Sequence, residues 1–270
     1  MKRNILLWSL AVVLTLAAAI YQRVTGPSYP ANGRVELGGQ PITYQLDRNH
    51  GGNSDQRVAI VVPDIDITGF VAFRRHNAGE SFQQLPLERT GDTLVGYLPH
   101  QPPAGKVEYY LRLFNGREMT NLPPDRTLIT RFKGDVPGLV LIPHILFIFL
   151  AMLWSTRAGL EALRPAGKTK NLTVWTFGLL LVGGMIMGPI VQKYAFGQFW
   201  TGIPFGWDLT DNKTLVAFVG WGFAFYRHRR NSFPRWSVLA AAILLIVVFC
   251  IPHSIMGSEL DYSTGEVVSR

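Results

Sequence analysis

The chain has 270 residues, of which 48% are hydrophobic and 16% are charged, whereas a soluble domain carries about 25% charged residues. The formal net charge is +8, but residues 23–136 hold 13 basic and 12 acidic residues, so the excess lies beside the apolar segments and predicts no nucleic-acid partner. Cys250 is the single cysteine, which excludes an internal disulfide and a cysteine-based zinc site.

Residues 1–22 begin with Lys2 and Arg3 and continue as a short apolar stretch. This pattern favours a retained transmembrane anchor, and it also fits a cleavable signal peptide that ends near Ala17-Ala18-Ala19. Both alternatives export the residues that follow, so the location of the next segment does not depend on the choice.

Residues 31–134 show short runs with the alternating hydrophobicity of half-buried strands. About seven such runs in a hundred residues predict a β-sandwich. Asn115-Gly116 follows one run directly and indicates a hairpin turn. The predicted strands are Arg34–Leu37, Ile42–Leu46, Val58–Val62, Gly69–Arg74, Leu94–Leu98, Val107–Leu113 and Thr127–Arg131.

Two stretches of this segment, residues 91–99 and 105–110, resemble the late strands of immunoglobulin or fibronectin type III-like modules of bacterial envelope proteins. The whole arrangement is similar to a group of uncharacterised bacterial inner-membrane proteins that carry such a periplasmic domain. The resemblance implies an immunoglobulin-like sandwich outside the membrane, and it implies no activity.

The second half contains four apolar segments, which predict a four-helix transmembrane bundle over residues 136–256 and a C-terminal tail over residues 257–270. Gly184 and Gly188 form a small-xxx-small pair, which indicates close helix packing. Arg157 and Glu161 lie four residues apart and are expected to pair on a helix surface. The predicted spans are residues 136–156, 172–192, 212–227 and 236–256.

Basic residues mark one side of these spans. Ten lysines and arginines share that side with one acidic residue, Glu161, and the positive-inside rule makes it cytoplasmic. The prediction is therefore a multi-pass protein of the inner membrane, with the N-terminus inside and with the β domain and the C-terminus in the periplasm. The ten residues are Lys2, Arg3, Arg157, Arg164, Lys168, Lys170, Arg227, Arg229, Arg230 and Arg235.

Two histidines stand at the predicted outer membrane boundary, each in an Ile-Pro-His tripeptide: His144 in the second span and His253 late in the fifth. Ionisable residues in spans are the default candidates for function. Pro252 is expected to bend its helix and to aim His253 inward. Either histidine could instead bond a loop carbonyl.

An outer loop rich in glycine and aromatic residues precedes the fourth span. We expect Asp208, Asp211, Lys213 and, after the fifth span, Glu259 to meet the two histidines at one boundary. Asp211 is the expected N-cap of the fourth span, because a carboxylate suits the positive end of a helix.

No nucleotide-binding loop, zinc motif or nucleophile elbow is visible, which favours a non-enzymatic role. The leading hypothesis is a subunit or an assembly or anchoring factor of an envelope or membrane complex, with the lipid bilayer and a membrane or periplasmic protein as partners. One alternative is a redox protein in which His144 and His253 bind haem b or a quinone. A metal bound by these histidines with Asp208 or Asp211, and a transporter component, are further alternatives.

Overall fold

A computed structural model describes residues 2–116, 118–230, 234–253 and 257–268. The fold is mixed, with a β-sheet region (residues 31–133) between an N-terminal helix and a set of further helices. The helices are α1 (Lys2–Thr25), α2 (Gly138–Ala162), α3 (Lys170–Leu180), a π-helical segment (Leu181–Met187), α4 (Gly188–Phe196), α5 (Leu209–Arg229) and α6 (Pro234–Cys250).

The β region is built from two larger sheets and one hairpin. A six-stranded sheet has the order β3-β11-β9-β5-β6, with β10 also paired to β9. A three-stranded sheet has the order β4-β8-β7, and β1 pairs with β2. The strands are β1 (Ala31–Leu37), β2 (Gln40–Leu46), β3 (Asn49–Gly51), β4 (Gln56–Val61), β5 (Thr68–Arg75), β6 (Gln83–Pro86), β7 (Glu88–Thr90), β8 (Thr93–Leu98), β9 (Lys106–Asn115), β10 (Glu118–Leu122) and β11 (Leu128–Lys133).

A single hydrophobic core joins these sheets. Val71 and Leu111 of the six-stranded sheet pack in the same buried cluster as Ile60 and Leu94 of the three-stranded sheet and Leu46 of the hairpin. The alternation of buried and half-buried residues along β9 produces this arrangement, because successive side chains of a strand point to opposite faces.

Each of the seven predicted strands has a counterpart in the structure. The predicted hairpin at Asn115-Gly116 is also present, since β10 pairs back on β9 and Gly116 adopts a positive φ of 58°. Such a backbone conformation favours glycine. The predicted hairpin implies a strand at the position of β10, although its bounds were not predicted. The sequence did not indicate β3, β6 and β7, which are four residues long or shorter, nor the C-terminal pair β12 (Glu259–Leu260) and β13 (Val267–Val268).

Three helices in the described residues are long and apolar enough to cross a membrane: Lys2–Thr25, Gly138–Ala162 and Lys170–Phe196. The third is one continuous rod formed by α3, the π-helical segment and α4. Helix α6 is apolar but shorter, and it ends at Cys250 although the sequence predicts a span to residue 256. Residues 254–256 of that prediction lie outside the described residues.

The helices pack in one group around α2, which contacts α1, α3 and α6. At one end, Arg157 of α2 donates to Asn4 of α1 over 2.8 Å. The expected Arg157–Glu161 pair forms at 2.7 Å, but its side chains are only 5% and 7% exposed, so the prediction of a surface pair is wrong. Asn4 and a second arginine, Arg164, cover it.

The π-helical segment approaches α2 closely at its glycines. A Cβ on Gly183 would stand 2.8 Å from Cβ of Phe147 and 3.1 Å from the backbone nitrogen of Ile148. A Cβ on Gly184 would stand 2.9 Å from Cγ2 of Thr214 on α5. The packing role predicted for this glycine pair therefore holds at Gly184, and Gly183 belongs to the same contact.

We expect Gly183→Ala to destabilise the helices by about 1–3 kcal/mol, because the added methyl group meets a backbone atom that cannot move aside cheaply. Gly178→Ala is the matched control in the same rod, since nothing lies within 4 Å of its added Cβ and alanine is the better helix former. Thermal unfolding of the detergent-purified protein measures both variants. Equal unfolding temperatures for the two would contradict the close approach.

Candidate functional site

A cavity of about 530 Å³ lies where the β region meets the helices. Five of the six residues that the sequence predicts to converge line its wall: His144, His253, Asp208, Asp211 and Lys213. They come from α2, from the turn after α6, and from the start of α5. The volume lies within the roughly 300–1,000 Å³ typical of small-molecule sites.

His144 is half-buried, and the π-helical segment fixes its orientation. Its Nδ1 lies 2.9 Å from the carbonyl oxygen of Gly183, which also accepts the N–H of Gly188 in the π-helical pattern. A carbonyl can only accept, so Nδ1 carries the proton and Nε2 of the neutral ring keeps its lone pair. The acceptor is thus a carbonyl of the π-helical segment and not the loop carbonyl expected as the alternative, and the bond leaves one nitrogen of the ring for a ligand.

His253 lies in the turn after α6 and is exposed on the cavity side. Pro252 does not bend the helix, because α6 already ends at Cys250, so the expected bend is wrong. A residue before proline disfavours the helical conformation, which explains why the helix stops at this point. No hydrogen bond joins the imidazole of His253 to another described residue.

Lys213 caps the end of α6. Its ammonium group, on a side chain that is 6% exposed, donates to the carbonyl oxygen of Ile251 over 2.6 Å. Gln22 of α1 donates to the same oxygen over 3.3 Å and to that of Phe249. The last carbonyls of a helix have no partner inside the helix, and a positive charge is favourable there. This cap joins α1, α5 and α6 beside the cavity.

Asp208, and not Asp211, is the N-cap of α5. Its Oδ1 accepts from the backbone nitrogen of Thr210 over 2.8 Å, and its Oδ2 accepts from both the nitrogen and the hydroxyl of Ser258, each over 2.8 Å. The prediction that Asp211 is the N-cap is therefore wrong, since the cap lies one helical turn earlier. The carboxylate of Asp208 instead links the start of α5 to the C-terminal segment.

Asp211 stands in the first turn of α5 and holds the preceding loop. Its Oδ2 accepts from the backbone nitrogen of Thr201 over 2.7 Å and from the Thr201 hydroxyl over 3.2 Å. Gln192 of α4 donates to that hydroxyl over 2.6 Å, and the hydroxyl in turn lies 2.7 Å from Oγ of Ser258. All of these groups are buried, so the network fixes the loop between α4 and α5.

No family model matches this chain, and no curated protein matches it. The resemblance of residues 91–99 and 105–110 to immunoglobulin or fibronectin type III-like modules therefore stays a prediction. Within the described part of the chain, no three His, Cys, Asp or Glu side chains are grouped to hold a metal ion. The carboxylates of Asp208 and Asp211 are already occupied by hydrogen bonds, whereas Nε2 of His144 and the imidazole of His253 could ligate a cofactor.

Arg131 of β11 is a lining residue that the sequence did not single out. Its guanidinium group stacks 3.8 Å from the ring centre of Phe196 at the end of α4 and donates to the carbonyl oxygen of Ser258. Burial lowers the pKa of Arg131 to about 10, and the charges of Asp208 and Glu259 oppose that shift. The sequence signal for this role is the alternation of apolar and polar residues along β11. This alternation places Arg131 on the face of the strand opposite the core residue Phe132.

Glu259 does not join the cavity, so its predicted convergence with the histidines is wrong. It turns to the β region, where Oε2 lies 2.7 Å from Nζ of Lys106 and Oε1 accepts from Asn77 over 2.9 Å. The neighbouring Leu260 donates its backbone N–H to Ala104 over 3.1 Å. Residues 257–268, called the C-terminal clamp below, thereby join the helices to the β region.

The clamp is expected to weaken in acid. Burial raises the pKa of Glu259, but the hydrogen bonds from Lys106 and Asn77 and the charge of Lys106 outweigh burial and hold it below its ordinary value of about 4.3. A carboxyl group whose pKa is lower in the folded than in the unfolded protein stabilises the fold at pH values above its ordinary pKa. This stabilisation is lost as the pH falls through the pKa of the folded state. We expect Glu259→Gln to cost about 1.5–3 kcal/mol at pH 7.

Unfolding of the wild type and of Glu259→Gln between pH 7 and pH 3 measures this effect. The difference between the two proteins should shrink as the pH falls below about 4. Glu36→Gln is the control, because Glu36 lies outside the clamp in β1. A difference that stays constant over the whole range would show that Glu259 contributes through its shape and not through its charge.

Proposed function

We propose that this chain is a non-enzymatic subunit, or an assembly or anchoring factor, of a complex in a bacterial inner membrane. In this proposal α5 and α6 cross the bilayer together with the three long apolar helices, and the β region is an immunoglobulin-like sandwich in the periplasm. The N-terminus is cytoplasmic and the C-terminus periplasmic.

The C-terminal clamp is the observation that carries the proposal. Ser258 is fully buried and bonded to Asp208 of α5, while the next residue, Glu259, is bonded to Lys106 of β9. Gly134, between β11 and α2, also donates its N–H to the carbonyl of Ala195 in α4 over 2.9 Å. A β region that is held to the helices at two points has a fixed distance and orientation relative to them. Such an arrangement suits a domain that presents a surface to a partner protein.

The basic residues support the orientation. The Asn4–Arg157 contact brings the start of α1 beside the end of α2, and the 2.9 Å contact of Thr169 with His228 brings the start of α3 beside the end of α5. The basic segments thus gather at the helix ends remote from the β region, as the positive-inside rule requires of a cytoplasmic side.

Single-cysteine labelling in intact cells tests the orientation. In a Cys250→Ser background, Thr264→Cys in the exposed part of the clamp should react with a membrane-impermeant maleimide, whereas Lys168→Cys at the opposite helix ends should react only after lysis. The reverse pattern would overturn the topology.

Site-specific photo-crosslinking in native membranes tests the partner. A photoreactive residue at Ile65, which is 76% exposed, or at Met119, which is 66% exposed, should give an adduct of one defined mass. The same residue at Ile186, on the apolar rod, is the control and should give lipid adducts. A chain that gives no protein adduct from the β region and migrates alone in native gels is not a subunit.

A protein that binds a redox cofactor, haem or quinone, is the second candidate. It is favoured by one observation, that His144 and His253 line the same cavity. The absorption spectrum of the protein purified from membranes tests the haem form, because the porphyrin of a bound haem gives an intense Soret band. A spectrum without that band removes haem from this candidate.

A further inference from the structure

We propose that the cavity binds the head group of an isoprenoid hydroquinone, with one ring hydroxyl donating a hydrogen bond to Nε2 of His144. This inference rests on the cofactor-binding candidate and narrows it to a ligand class, a preferred redox form and an orienting residue. It involves binding alone, without electron transfer.

The tautomer of His144 determines which redox form of the ligand the cavity prefers. Because Nδ1–H is used by the carbonyl of Gly183, the free Nε2 can only accept a hydrogen bond from a ligand. A hydroquinone hydroxyl is a donor and matches this nitrogen, whereas a quinone carbonyl is itself an acceptor. The π-helical segment supplies the carbonyl that sets this preference, and such segments occur frequently at functional sites.

The charges on the cavity wall favour a neutral ligand over a lipid phosphate or a fatty acid. Three basic side chains line it together with three carboxylates. The carboxylate of Asp208 is engaged by Ser258, that of Asp211 by Thr201, and the ammonium group of Lys213 by a carbonyl. The basic residues are Arg131, Lys133 and Lys213, and the acidic residues are Asp135, Asp208 and Asp211.

The remaining wall is apolar and suits an aromatic ring with an isoprenoid chain. Its side chains come from α2, α4 and α6, and they face the same space as His144. His253 and Lys213 offer further polar groups for the second ring oxygen, since an ammonium group has three N–H bonds and Ile251 takes one. The apolar residues are Leu141, Ile148, Val191, Val248 and Phe249.

Binding to the full-length protein in lipid nanodiscs tests the inference. The probes are decyl-benzohydroquinone and its quinone, and a short-chain naphthohydroquinone and its quinone, titrated without oxygen by calorimetry. We expect at least one hydroquinone to bind saturably and more tightly than its quinone. His144→Asn should weaken hydroquinone binding by about tenfold and abolish the preference, because a charge-neutral hydrogen bond of this kind is lost.

Asparagine is chosen because its side-chain N–H can replace Nδ1–H at the Gly183 carbonyl, whereas its acceptor oxygen stands one bond nearer the backbone than Nε2 of histidine. Thermal unfolding shows whether the variant is folded, and His76→Asn, in the β region away from this cavity, should bind as the wild type does. Equal affinity for both redox forms, or unchanged binding by His144→Asn, overturns the inference but leaves the cofactor-binding candidate. Absence of saturable binding for every probe overturns the inference and the quinone form of that candidate.

Discussion

Asp208→Ala is expected to destabilise the protein by about 3–5 kcal/mol, the largest effect of any single substitution near the cavity. The carboxylate is 5% exposed and accepts hydrogen bonds from Thr210 and Ser258. Alanine would leave the buried N–H and hydroxyl of Ser258 without this acceptor and would remove the helix cap. It would also leave Arg131 and Lys213 with less negative charge nearby.

Thermal unfolding measures the stability loss, and hydrogen exchange of residues 257–268 shows whether the C-terminal clamp opens. Asp208→Asn keeps the shape and one acceptor oxygen, so its loss should be intermediate. Asp66→Ala, at an exposed position of the β region, should change the stability by less than about 0.5 kcal/mol. A clamp that stays protected in Asp208→Ala would show that Asp208 acts only as a helix cap.

Local patterns of the sequence predicted much of the β region and the apolar helices. Alternation along Val107–Leu113 and the turn at Asn115-Gly116 specify the β9–β10 hairpin through contacts between near neighbours. The long apolar rod from Lys170 to Phe196 follows from composition alone. The sequence also predicted that His144 and His253 lie near one boundary, and both line the cavity, because α2 packs against α6 and His253 lies just after the end of α6.

The roles within the cluster could not be predicted, since they depend on contacts far apart in the chain. Aspartate is a good N-cap residue, so the sequence alone does not distinguish Asp208 from Asp211. The distinction depends on distant partners, because Thr201 binds the carboxylate of Asp211 and Ser258 binds that of Asp208. Glu259 is bonded to Lys106, which lies 153 residues away in the sequence. No local pattern could therefore have predicted that Glu259 lies away from the histidines. The π-helical segment likewise leaves no mark in the hydrophobic pattern.

Arg131→Ala is expected to lower the free energy of unfolding by about 3–4 kcal/mol and to loosen the β region from the helices. The guanidinium group is the part of β11 that reaches both Phe196 of α4 and Ser258 of the clamp. Removing it exposes the Phe196 ring, and it takes away one of the buried positive charges near the carboxylates of Asp208 and Glu259, which keep only Lys213 and Lys106 as counter-charges. Loss of one partner of a buried charged group is strongly destabilising, because the other charge stays buried.

Arg131→Lys separates the contribution of the positive charge from that of the guanidinium group stacked on Phe196. Lysine retains the positive charge but cannot lie flat on Phe196 or donate through a fork of N–H groups, so about half of the loss should remain. Arg57→Ala, at an exposed position of β4, is the control and should be close to neutral. Hydrogen exchange is the deciding measurement, since faster exchange in both residues 195–208 and residues 257–268 means that Arg131 couples the two contacts. Faster exchange in one segment alone would show that the β region is held to the helices at two independent points.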